Sequence, residues 1–213
     1  MRTKTLLLTA ALVGAGIASS MAQAVYSVNA VGYVNLTLPI GYSMIANPLN
    51  NGSNALSQVL PNAPDGATIL KFDPAQQKFS ATVPSFILGA GWVPDGTLRP
   101  GEGAFINVPT ASTITFVGEV PQGTLTQPVP AGYSIQASQV PQTGRVTTDL
   151  AFPAGDGDTI LQFNSATQKY NTDTPSFILG AGWVPSEPTV AVGTSFFVLK
   201  SAAGTWTRTF NVN

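Results

Sequence analysis

The sequence predicts an all-β fold: two tandem, duplicated small β-sandwich or β-barrel domains after a cleaved signal peptide. Three observations in the 213 residues carry this expectation. One eleven-residue segment occurs twice, the apolar runs are short and rich in β-branched and aromatic residues, and 21 Gly and 17 Pro punctuate the chain too often for long helices.

The repeat is the strongest of these. Pro84 to Pro94 reads PSFILGAGWVP, and Pro175 to Pro185 reads the same, 91 positions later. The same offset aligns Gly41-Tyr42-Ser43 with Gly132-Tyr133-Ser134, and Asp65-Gly66 with Asp156-Gly157. It also places Thr68-Ile69-Leu70-Lys71-Phe72 on Thr159-Ile160-Leu161-Gln162-Phe163, and after one inserted residue Gly101 and Phe105 on Gly193 and Phe197. A period of this length is too long for a solenoid and suits a small domain. The expected organisation is a signal peptide over 1–24, a first β-domain over 25–122 and a second over 123–213.

Taken in chain order, Arg2 and Lys4 give a positive start, Thr5 to Ser20 is apolar and small, and Ala22-Gln23-Ala24 is a cleavage site. This is the pattern of a secretory signal peptide, and no later apolar run is long enough to span a membrane. The expected location is extracellular or at the cell surface, with the periplasm as the alternative. Expected strands in the first unit are Tyr26–Val34, Tyr42–Ala46, Thr68–Phe72, Lys78–Val83, Ala104–Val108 and Thr113–Val120. In the second they are Tyr133–Ser138, Thr159–Phe163, Lys169–Thr172, Ser195–Lys200 and Trp206–Val212. Thr113 to Val117 alternates polar and apolar, as a half-buried strand does. Asp73 to Gln77 reads as a hairpin loop, and Asn54 to Leu60 as a short helix with Asn54 as its N-cap. Val120 to Gly123 and Gln127 to Pro130 read as a turn and a semi-rigid linker.

Composition narrows the chemistry. With no Cys there is no disulfide, thiol nucleophile or iron–sulfur cluster, and with no His the commonest general base and metal ligand are missing. Seven basic residues remain once Arg2 and Lys4 are removed, too few and too scattered to track phosphates, so no nucleic-acid partner is expected. The aligned carboxylates Asp65 and Asp156 resemble a duplicated catalytic pair, but each precedes Gly and a strand, which is where turn residues sit. Asp156 and Asp158 raise calcium as a weak alternative to having no cofactor, since a calcium site wants more oxygens at set spacing. Lys78 and Lys169 are the aligned candidates for a Ser–Lys dyad, and both sit beside hairpin turns.

Two features remain as candidate sites. In PSFILGAGWVP, Trp92 and Trp183 read either as exposed platforms for sugar rings, one per unit, or as core residues over which the glycines bend the chain. The adjacent Phe and Ile and the lack of polar neighbours favour core. At the other end, Tyr26, Val28, Val31 and Tyr33 lie on an uncharged segment of strand composition. It is expected to dock as a β-strand in its own unit or in a neighbouring subunit, because a free strand of this kind is an aggregation hazard.

Val25 to Asn35 (VYSVNAVGYVN) directly after the signal peptide, Phe116 to Leu125 and the closing Thr205 to Phe210 resemble secreted tandem-repeat β-proteins of verrucomicrobial-type environmental bacteria. The resemblance implies secretion and a repeated β architecture, and carries no activity. More loosely, Gly41 to Leu49 with Leu98 to Ile106 is similar to β-rich modules of bacterial extracellular proteins. The expected function is a secreted, non-enzymatic structural or adhesive β-protein that self-assembles at the cell surface, with itself or other extracellular proteins as partners. The alternative is a carbohydrate-binding module that takes polysaccharide on paired tryptophans.

Overall fold

The computed structural model describes residues 30–212. The expected signal peptide, and Tyr26 and Val28 of the expected assembly strand, lie outside the described residues. The first half contains β1 (Val31–Leu38), β2 (Gly41–Ala46), the single helical turn α1 (Leu56–Val59), β3 (Thr68–Leu70), β4 (Phe72–Asp73) and β5 (Lys78–Phe79). It continues with β6 (Ser85–Ile87), β7 (Gly91–Val93), β8 (Gly103–Val108) and β9 (Ser112–Glu119). The second half repeats the strand order, with no helix among its described residues: β10 (Gly123–Val129), β11 (Gly132–Gln136), β12 (Gly144–Arg145), β13 (Thr159–Leu161), β14 (Phe163–Asn164) and β15 (Lys169–Tyr170). It closes with β16 (Ser176–Ile178), β17 (Gly182–Val184), β18 (Thr189–Val190), β19 (Phe196–Lys200) and β20 (Gly204–Phe210), the two-residue pair β12 and β18 being added to the order of the first half.

The duplicated topology follows the repeat. One five-stranded sheet runs β2-β8-β3-β6-β7 and the other β11-β19-β13-β16-β17. Each half adds a long antiparallel ribbon, β1 with β9 and β10 with β20, and a short hairpin, β4–β5 or β14–β15. In β9 the expected alternation holds: Ile114 and Phe116 point inward while Thr113, Thr115 and Val117 face solvent. Ribbon residues Leu38, Ile114 and Phe116 pack in one core with Ile45, Ile69 and Ile106 of the sheet, so each half is a sandwich. In the second half Val129 and Trp206 of the ribbon meet Ile160, Phe196 and Val198.

The central strands are buried on both faces, and this joins the halves. In β8, Ala104, Ile106 and Val108 face their own core, while Phe105 faces away. Phe105 and Met44 meet Phe197 and Ile135 in a third apolar cluster, flanked by Leu70, Phe72, Leu161 and Phe163. The contacts come in pairs related by the repeat. Phe72 meets Phe197 edge-on at 5.1 Å, and Phe163 meets Phe105 edge-on at 5.2 Å, a geometry aromatic quadrupoles favour. The Gln77 side chain donates to the Tyr133 carbonyl at 3.0 Å and accepts the Tyr133 N–H at 2.8 Å. Gln168 does the same to Tyr42, at 2.9 and 2.7 Å. Two backbone bridges, Ile45 with Thr194 and Gln136 with Glu102, complete a pseudo-twofold junction.

Several elements differ from expectation for identifiable reasons. The helix is shorter, and Asn54 is not its cap: it sits at φ 52°, and its side chain accepts the Asn51 N–H at 3.0 Å instead. The span Lys78–Val83 pairs only over Lys78–Phe79. Gly123, read as the end of a turn, and Gln127 to Val129, read as linker, belong to one strand, β10, in which Pro128 lies opposite Thr205, an edge position that needs no Pro donor. The strand ahead of the second half therefore pairs within that half.

Candidate functional site

The tryptophan platform is not formed. Trp92 is 4% exposed and Trp183 8%. The cause is strand alternation within the β6–β7 hairpin, which pairs Phe86 with Trp92 on its inner face. The Trp92 indole packs edge-on against Phe86 at 5.5 Å and donates to the Leu60 carbonyl at 2.9 Å. Trp183 packs on Phe177 at 5.4 Å and donates to Thr147 Oγ1 at 2.8 Å. A buried indole with its N–H satisfied is a core residue, so neither ring offers a face to a sugar.

The same alternation turns other residues of the repeated segment outward. Leu88 and Leu179, at the hairpin tips, are each 78% exposed, and Ile87, Val93, Ile178 and Val184 are exposed beside them. Gly89 and Gly91 make the turn at φ 84° and 78°, with Gly180 and Gly182 at 85° and 80°, backbone that side chains with a Cβ rarely adopt. The tips are held from below. Asp65 accepts the Leu88 N–H at 2.8 Å and Asp156 accepts the Leu179 N–H at 2.9 Å. The aligned aspartates are thus turn residues, each fixing an apolar tip in the same pose.

The N-terminal strand docks in its own half. β1 pairs with β9 along all eight of its residues, from Val31 opposite Glu119 to Leu38 opposite Ser112. Val31 and Tyr33 sit on the solvent face, 70% and 73% exposed, with Val117 opposite Tyr33.

The remaining candidates do not come together as chemistry. Asp158 is wholly buried and hydrogen bonded to Lys200, Ser201 and Gly155, so its oxygens are not offered to calcium with Asp156. Among the described residues no three His, Cys, Asp or Glu side chains gather as a metal set. Lys78 and Lys169 are exposed on their hairpins. A cleft of about 650 Å³ at the junction of the halves is lined by Lys71, Phe72, Arg99, Glu102, Gln127 and Gln136, among others. Its one carboxylate, Glu102, is paired with Lys71 at 3.0 Å, whereas glycoside hydrolysis uses two. Near the second-half turn, burial raises the Glu187 carboxyl. Hydrogen bonds from the Thr148 hydroxyl and the Thr148 and Thr147 N–H groups, with Arg145 nearby, outweigh it and hold the group below its ordinary value.

Comparison with known protein families, curated proteins and solved structures finds no match to this chain.

Proposed function

We propose that this chain is a secreted, non-enzymatic structural or adhesive β-protein that associates with its surroundings through its two apolar hairpin tips. One observation carries the reading: Leu88 and Leu179 project 78% exposed from identical, rigidly braced tips. Several core and junction positions differ between the halves, as in Met44 against Ile135, Ile45 against Gln136 and Phe116 against Arg208, while others such as Phe105 and Phe197 are kept. The outward residues of the tips are the same in both. Folding gives no reason to keep an exposed leucine, whereas burying one against a partner contributes about 1.5–3 kcal/mol. Two tips on one body add avidity without new contacts. Low charge, 9% of residues, weakens the repulsion that keeps such surfaces apart.

The test is the double variant Leu88→Ser/Leu179→Ser. It should keep the wild-type melting temperature and lose concentration-dependent light scattering and retention on the cell surface. Equal scattering and retention for both proteins would refute the reading.

A further inference from the structure

The second half carries a buried pair for which the first half has no counterpart. Asp158 and Lys200 side chains are 0% and 5% exposed. The repeat places Ala67 and Val108 at these positions in the first half, both fully buried. The same sandwich therefore folds with two apolar residues here, and a buried ion pair pays a desolvation cost that such residues do not. The pair directly continues the β13–β19 ladder, whose last matched residues are Thr159 and Leu199.

Hydrogen-bonding groups and one aromatic ring surround the pair. Lys200 Nζ is in direct contact with Asp158 Oδ2. It also donates to the Pro153 carbonyl at 2.7 Å and lies 5.6 Å from the centre of the Phe152 ring. Asp158 Oδ1 accepts the Ser201 N–H at 2.9 Å; the Ser201 hydroxyl lies 3.1 Å from Oδ1 and 2.9 Å from the Asp156 carbonyl. Gly155 N–H reaches Oδ2 at 2.6 Å. A backbone N–H aimed at a carboxyl oxygen stabilises a developing oxyanion in a dry site, and a fixed amine beside the carboxyl supplies proximity.

We propose that Lys200 and Asp158 condense to an intramolecular isopeptide bond. A proton passes from the ammonium to Oδ2, leaving a neutral amine beside a carboxylic acid. Nζ attacks Cγ, and charge develops on Oδ1 against the Ser201 N–H. A second proton moves from Nζ to Oδ2, the Cγ–Oδ2 bond breaks and water departs past the exposed Asp156–Gly157 turn. The product is a secondary amide between Nζ and Cγ, with one water released and no redox partner needed. Both buried charges disappear, and a chain without cysteine gains a covalent link across residues 158 to 200.

Intact-mass measurement of the denatured full chain tests this, with Asp158→Ala, Lys200→Met and the first-half mimic Asp158→Ala/Lys200→Val prepared alongside. After allowance for the substitutions, the wild type should be lighter than all three by one water. Its digest should join the peptides carrying residues 158 and 200, and the mimic should fold with a lower melting temperature. A wild-type protein at the unmodified mass, with the two peptides released separately, would overturn the proposal.

Discussion

Replacing Gln77 or Gln168 by alanine tests whether the two halves are coupled as the pseudo-twofold junction requires. Each glutamine presents its amide to one backbone residue of the opposite half as a strand would, donating to the carbonyl and accepting the N–H of Tyr133 or Tyr42. A net hydrogen bond contributes about 0.5–1.5 kcal/mol, so two per clamp give about 1–3 kcal/mol, toward the low end because water can replace the lost partner at an exposed site. The clamp also constrains its neighbours. A Cβ on Gly132 would lie 2.9 Å from Gln77 Oε1, and one on Gly41 would lie 2.5 Å from Gln168 Oε1. Gly132→Ala should therefore cost more with Gln77 present than in a Gln77→Ala background, where only the strain of its φ of 80° remains. Gln77 itself is at φ 52°, so Gln77→Gly should be milder than Gln77→Ala. The assay is urea unfolding of the two single variants and the cycle, with midpoints compared at constant m. Single variants within about 0.3 kcal/mol of wild type and an additive cycle would refute the coupling.

Three further outcomes follow from the same structure. Trp92→Ala and Trp183→Ala should each destabilise by about 3–5 kcal/mol, read from unfolding midpoints. Wild-type tryptophan emission should be blue-shifted and unmoved by polysaccharide; quenching by a soluble glycan would contradict their burial. Glu187 is held below its ordinary value by the Thr147 and Thr148 donors. Its contribution is therefore present above the unfolded carboxyl range and lost as pH falls through the depressed folded value. A melting-temperature series on the acid side should be flatter for Glu187→Gln than for wild type.

Much of the architecture is legible in the sequence because it is carried by local signals. The 91-residue offset states the duplication outright, and the alternation in Thr113 to Val117 places Ile114 and Phe116 inside. The hairpin in PSFILGAGWVP is harder to see, since its strands are three residues each and its apolar run has no period. Without the register, Trp92 and Leu88 look alike, and only the pairing of Phe86 with Trp92 sends one inward and the other out. The junction is illegible for a different reason. Gln77 and Tyr133 are 56 residues apart and Gln168 and Tyr42 are 126 apart, and nothing local marks a glutamine as a clamp. The Lys200–Asp158 pair did leave a trace: the repeat sets Ala67 against Asp158 and Val108 against Lys200, two apolar-to-charged changes whose proximity only the β13–β19 pairing reveals.

The most direct test of the central claim, that this protein associates through its two apolar tips, is electron microscopy of the native extracellular fraction with antibody labelling of the chain. The account predicts labelled protein in ordered fibres or a surface layer for the wild type, and dispersed particles for Leu88→Ser/Leu179→Ser secreted at the same level. Wild-type protein found only as isolated single particles, in the medium and at the cell surface alike, would contradict it.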